Sequence, residues 1–197
     1  MTRLHWYWST NPQKVRWALE ELEMPYELVK VDLGTGAQRS AGFTDISPRG
    51  KVPALEIDGA VLWDSNAILT YLGQREGRLW PSEPEDLARA LNLLFMEASI
   101  FQDLAGAHFY QRVVKPFMGR EPDLSSVERA DRRIQPLYDV LEAHLERGPY
   151  LLGEFSLVDC SYGPWLPSLN LNERPRLKEW RDRLATRPAR DRCEFTY

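Results

Sequence analysis

The sequence predicts two structural classes in series, an α/β unit followed by an all-helical one. Three observations carry this. Strand-like and helix-like periodicities alternate over roughly the first eighty residues, a proline-bearing connector follows, and every long segment after it has helical spacing. The boundaries read from these patterns are 1–77 for the first unit, 78–86 for the linker and 87–197 for the second.

The first element is "RLHWYW" (3–8), which sends Leu4, Trp6 and Trp8 to one side and His5 and Tyr7 to the other, the alternation of a strand. From Val15 the spacing becomes helical, with Val15, Ala18, Leu19 and Leu22 on one stripe. Between them lies Ser9-Thr10-Asn11-Pro12, where Asn11 reads as an N-cap and Pro12 as the first helical residue. "YELVKVDL" (26–33) returns to strand character. In "KVPALEIDGAVLW" (51–63), Asp58-Gly59 separates two apolar runs, a hairpin signal. "DSNAILTYL" (64–72) then opens on capping residues and continues at helical spacing. This order predicts two parallel strands joined by a crossover helix, followed by an antiparallel pair.

After "GRLWPSEPED" (77–86), the segment 87–104 sets Leu91, Leu94, Phe95, Ala98 and Phe101 on one stripe. Ile134, Leu137, Tyr138, Leu141 and Leu145 form a second. Ser156 and Asp159 make a capping box, with Phe155 placed as a staple. A last helix is expected from about Pro175 to just before Pro188, and Trp165, Trp180 and Cys160 are expected in the helical core.

Bulk properties exclude several partners. The net charge is −4, so no basic excess exists to neutralise phosphates, and no nucleic-acid partner is expected. The longest apolar runs are too short to span a bilayer, and no export signal is read, so no membrane partner is expected. Cys160 and Cys193 then read as reduced thiols of a cytoplasmic protein, with Cys193 left open as a regulatory thiol. His5, His108 and His144 share no ligand spacing, so no metal is expected.

Four stretches together resemble the cytosolic glutathione transferases: "SPRGKVPAL" (47–55), "DSNAILTYL" (64–72), the capping-box segment 152–159, and "PRLKEWRDRLATRPA" (175–189). The resemblance covers nearly the whole chain. It implies an α/β thioredoxin-like N-terminal domain, an all-α helical C-terminal domain, a homodimer, a detoxifying role, and glutathione as co-substrate. It also implies a cis bond at Val52-Pro53, leaving the Val52 backbone to pair with an extended peptide, and a carboxylate held at Asp64-Ser65. Gln38, Arg39 and Lys51 would meet the glycyl carboxylate.

The loop after the first strand has no cysteine, so the reactive sulfur must come with the substrate. A thiol of pKa roughly 8.5 is stabilised as thiolate by a donated hydrogen bond and a helix N-terminus. Ser9 falls where theta-like members keep a catalytic serine, and Ser9 with Asn11 matches the spacing of nu-like members. Thr10 and Tyr7 are the other candidates, and Pro12 departs from the second serine of theta-like members. Phe109, Tyr110 and Phe117 are candidate liners for a small, largely apolar electrophile, with helix packing as the plainer account of each. The leading reading is therefore a conjugating glutathione transferase. A glutathione-dependent disulfide reductase or peroxidase and a non-catalytic interaction module of the same fold are the alternatives.

Overall fold

The computed structural model describes residues 1–193. Two compact units emerge. One is Met1–Trp80 together with the described part of the segment that starts at Pro188; the other is Pro81–Arg187.

The first unit holds a four-stranded sheet: β1 (Arg3–Trp6), β2 (Glu27–Lys30), β3 (Ala54–Ile57) and β4 (Ala60–Trp63). Its order is β2-β1-β3-β4, with β2 parallel to β1 and the other two pairings antiparallel. The crossover between the parallel strands is α1 (Thr10–Glu21), and the hairpin turns at Asp58 and Gly59, both at positive φ, as an Asp-Gly turn requires. Three more helices belong to this unit: α2 (Ala41–Thr44), α3 (Ser65–Glu76) and, at the far end of the sequence, α10 (Pro188–Arg192).

Alternation along β1 has the expected consequence. Leu4 is fully buried on one face, while His5 on the other sits 5.9 Å, ring to ring, from Phe43 of α2. Val15, Ala18, Leu19 and Leu22 of the α1 stripe are all buried, as their spacing requires. In α3, Gly73 lets the Trp80 ring come so close that a Cβ there would lie 2.6 Å from it. α10 docks on α1, a contact with no signal in the local pattern. Arg16 donates to the carbonyls of Arg192 (3.2 Å) and Cys193 (3.0 Å), and Arg192 Nε donates to Glu20 (2.7 Å). The Cys193 thiol is buried here, donates to the Ala189 carbonyl, and is pushed up to about 12 by burial. A thiol so held is not a thiolate at neutral pH.

The second unit is mainly helical: α4 (Pro84–Met96), α5 (Gln102–Phe109), α6 (Lys115–Phe117), α7 (Leu124–Leu145), α8 (Leu157–Tyr162) and α9 (Pro175–Ala185), with two isolated bridges, Tyr150 to Gly153 and Leu152 to Glu154, in the turn before α8. Wide π turns at Glu97–Phe101 and Tyr110–Val114 join α4 to α5 and α5 to α6. The buried stripe of α4 is Ala90, Leu93 and Leu94, continuing to Glu97 and Phe101. Phe95, placed on the stripe by sequence, is 69% exposed. The face has rotated by part of a turn, because one stripe must stay continuous through the wider π turn.

Asp159 is the polar centre of this unit. It is fully buried and accepts four hydrogen bonds, from the N–H and hydroxyl of Ser156, the N–H of Leu151 and Nε1 of Trp180. The capping box is thus joined to α9 and to the turn before α8. Trp165 and Trp180 are core residues, and Cys160 is fully buried.

Replacing Asp159 by Ala would strand these donors in an apolar interior, at a cost of about 3–5 kcal/mol. Burial raises the Asp159 carboxyl from 3.8 to about 6. Its contribution to stability is therefore fully present below the unfolded value and is lost as pH rises through about 6. Urea unfolding followed by tryptophan fluorescence at pH 5 and pH 7 should show this slope in the wild type and not in Asp159→Asn.

Candidate functional site

Strand direction gathers the candidate residues of the first unit. β1 ends where β3 begins, since His5 pairs with Ala54. β3 begins where β4 ends, since Ala54 also pairs with Trp63. β2 runs parallel to β1 and pairs Lys30 with Trp6, so it too leaves the sheet at this end. Four segments therefore emerge together: the Tyr7–Asn11 turn, the loop bearing Gln38 and Arg39, Val52-Pro53, and Asp64-Ser65.

At the first of these, the helix begins earlier than its sequence suggests. Ser9 is the N-cap of α1, with extended φ and ψ of −168° and 164°, and Thr10 is the first helical residue. Asn11 is the second residue of the helix and Pro12 the third, so Asn11 is not the N-cap that the following proline suggested. Pro12 is tolerated because the first turn has no intrahelical acceptors for its N–H groups. The Ser9 side chain makes no capping bond, and among the described residues its hydroxyl has no partner. Thr10, by contrast, is buried. Tyr7 lies one residue past β1, with the Lys30 ammonium 5.9 Å from its ring centre.

The Val52-Pro53 bond is cis. Among the described residues, neither backbone group of Val52 has a hydrogen-bond partner. The turn before it is tied closely. Gly50 N–H donates to the Ser47 carbonyl, and the Ser47 hydroxyl donates to the Lys51 carbonyl, both at 2.8 Å. Gly50 has φ +59°, and a Cβ there would lie 2.8 Å from the Gln38 carbonyl oxygen. Only glycine lets these two loops meet.

Asp64 is the N-cap of α3, and its carboxylate accepts from the N–H groups of Asn66 (3.0 Å) and Ala67 (3.3 Å). Its own φ is +75°, a left-handed value that Asp tolerates better than most residues. The carboxylate is thus turned onto the helix it starts. Ser65, the first residue of α3, is buried overall, yet its hydroxyl has no partner among the described residues. A helix start with an unused hydroxyl suits an anion.

Beside Val52, a groove of about 370 Å³ is lined by Gln38, Arg39, Thr44, Arg49 and Lys51. Gln38 Oε1 is buried without a partner among the described residues. A larger groove of about 640 Å³ lies at the opposite end of the sheet, among Thr2, Tyr26, Glu27 and Asp58, where β1 and β2 begin and the hairpin turns. Strand direction excludes it from the cluster.

The family models for the "Glutathione S-transferase, N-terminal domain" and the "Glutathione S-transferase, C-terminal domain" match residues 8–75 and 125–183. The chain belongs to the glutathione S-transferase family. It is 35% identical to glutathione S-transferase 3 of Zea mays over 92% of this chain and 87% of that one. It is 33% identical to the disulfide-bond oxidoreductase YfcG of Escherichia coli (strain K12), over 96% and 92%. The crystal structure of glutathione transferase F7 from Populus trichocarpa superposes with a TM-score of 0.89 at 26% identity, covering all of both chains. The family makes this protein a glutathione transferase enzyme, with a thioredoxin-like sheet unit and a helical unit.

In this transferase the three aromatic candidates of the helical unit part company. Phe109 is buried edge-on against Trp165, with ring centres 6.4 Å apart, so core packing accounts for it. Tyr110 is partly exposed in the second π turn, and Phe117 is 82% exposed at the end of α6. Sequence reasoning missed Arg49 and Thr44, which line the basic groove. The only signal for Arg49 was its place inside "SPRGKVPAL".

Asp64→Ala would remove a cap and force alanine into a left-handed conformation, costing about 2–3 kcal/mol, whereas Asp64→Asn, which keeps an acceptor and tolerates that conformation, would cost less than about 1 kcal/mol. Equilibrium unfolding of the two variants against wild type measures the difference.

Proposed function

We propose that this glutathione transferase is a serine-type enzyme, theta- or nu-like, which joins the glutathione sulfur to a small, largely apolar electrophile. The Val52 backbone N–H and C=O would pair with the cysteinyl part of the tripeptide as in strand addition. The Ser65 hydroxyl and the start of α3 would take the γ-glutamyl carboxylate. Because Asp64 already engages its carboxylate on α3, its part is to hold that helix start in place, with its exposed edge left for the γ-glutamyl ammonium. Gln38, Arg39 and Lys51 would meet the glycyl end.

The observation that carries the reading is the unused Ser9 hydroxyl at the N-cap of a twelve-residue helix. Such a hydroxyl can donate to a thiolate placed at the helix start, and the peptide dipoles favour the same charge. Lowering a thiol by two pKa units needs about 2.7 kcal/mol, within the reach of one charge-assisted hydrogen bond plus a helix end. Thr10 is too buried to substitute readily, and Asn11, one residue further along the first turn, would contact the ligand beside Ser9. The thiolate then attacks the electrophile, the C–S bond forms, and the leaving group departs with its electron pair.

Disulfide reduction with the same thiolate is the second reading, favoured by the similarity to YfcG. Both cysteines of the chain are buried, so the sulfurs would be those of glutathione and its disulfide partner. A homodimer is the assembly we propose. β4 is an edge strand with Val61 and Trp63 exposed, and Phe95 of the helical unit is exposed as well. Apolar residues in such positions suit an interface between copies.

Calorimetric titration with reduced glutathione in two buffers of different ionisation enthalpy tests the thiolate role. Wild type should bind with proton release and Ser9→Ala should bind with less. Equal release from both would move the role to Asn11, Thr10 or Tyr7. Light scattering tests the assembly: the wild type should run as a dimer and Phe95→Glu should shift it toward monomer.

A further inference from the structure

The groove beside Val52 carries more positive charge than glutathione can use. Arg39, Arg49 and Lys51 all line it, and among the described residues none of the three side chains has an acidic partner. Cations without an acidic partner, such as Arg78, Arg120 and Arg147, stand elsewhere among the described residues, but here three of them share one groove whose lining includes no acidic residue. The net charge of the chain is −4, so this groove is locally opposite in sign to the whole.

The tie between Gly50 and Gln38 fixes the groove's wall, since the two loops touch through backbone atoms. Thr44 donates its hydroxyl to the Ser40 and Ala41 carbonyls, so it is part of the wall and not a recognition group. Gln38 Oε1 is buried without a partner among the described residues, so Gln38 belongs to the wall as well. The arrangement offers three cations to the groups at the end of the peptide. The glycyl end of glutathione supplies a single carboxylate, which satisfies one or two of those cations.

Resting on the glutathione reading above, we infer that the co-substrate site accepts γ-glutamylcysteinyl peptides whose third residue carries a second carboxylate, with Arg49 as the residue that selects for it. In a peptide such as γ-Glu-Cys-Glu the terminal carboxylate takes the place of the glycyl one, opposite Arg39 and Lys51. The added side-chain carboxylate enters the groove toward Arg49, where a guanidinium can receive it in bidentate fashion. The volume of about 370 Å³ leaves room for the extra atoms. The reaction at sulfur is unchanged; only the identity of the thiol peptide broadens.

The test compares kcat/KM for three thiols, glutathione, γ-Glu-Cys-Glu and its neutral isostere γ-Glu-Cys-Gln, with one aryl halide acceptor, in wild type and Arg49→Gln. The Gln peptide controls for size and the Glu peptide adds only charge. In wild type the Glu peptide should exceed the Gln peptide by about fivefold at low ionic strength, the scale of one partly exposed ion pair. In Arg49→Gln that ratio should fall to near one, and in wild type it should shrink as salt is raised. Equal constants for the two peptides in wild type, or a ratio that survives Arg49→Gln, would overturn the inference while leaving glutathione chemistry intact. Loss of binding to glutathione itself, measured by the calorimetry above, would overturn the transferase reading and this inference with it.

Discussion

The direction of four strands is the constraint on which the candidate site depends. With β1 and β2 parallel and β3 and β4 antiparallel to their neighbours, two strand exits, one strand entrance and the exit of the edge strand fall at a single end of the sheet. Residues as distant in sequence as Ser9, Val52 and Ser65 are brought to one place by hydrogen-bond register. A slip of one residue in β3 would turn buried Leu55 and Ile57 outward, so the buried face of the sheet holds that register.

Two helix starts are built on that edge, and they use their capping residues differently. At α3 the cap is closed: Asp64 accepts from two N–H groups and holds its own backbone at φ +75° to do so. At α1 the cap is open, because Ser9 adopts the N-cap conformation without making the side-chain bond. A positive helix end with a spare hydroxyl favours a negatively charged sulfur. The same local device is therefore closed on itself at one helix and left open at the other. α10 braces α1 from its far side, through Arg16 and Glu20.

The helical unit solves a separate problem. It buries a carboxylate, Asp159, and a second one, Glu97, each satisfied by an indole N–H: Trp180 for the first and Trp165 for the second. Tyr162 adds a buried bond of 2.6 Å to the Leu93 carbonyl, tying α8 to α4. Buried polar groups paired this fully fix how helices sit against one another, where apolar contact alone would allow sliding.

The order of elements in the first eighty residues, the hairpin at Asp58-Gly59, the capping box at Ser156 and Asp159, and most of the candidate loop residues are legible in the chain, whereas α10, beyond the last helix that the pattern predicts, is not. Each legible feature is written in neighbours a few positions apart, which is the range over which turns, caps and periodicity act. The residue that caps α1 was not legible in this way, since Ser9, Thr10 and Asn11 are all acceptable caps and packing chooses the first turn. Packing also turned Phe95 outward, seated Phe109 against Trp165, and placed α10 on α1. Arg49 is the clearest case. Its one signal is its place inside "SPRGKVPAL", and its position across from Arg39 depends on the close approach of the two loops that Gly50 permits.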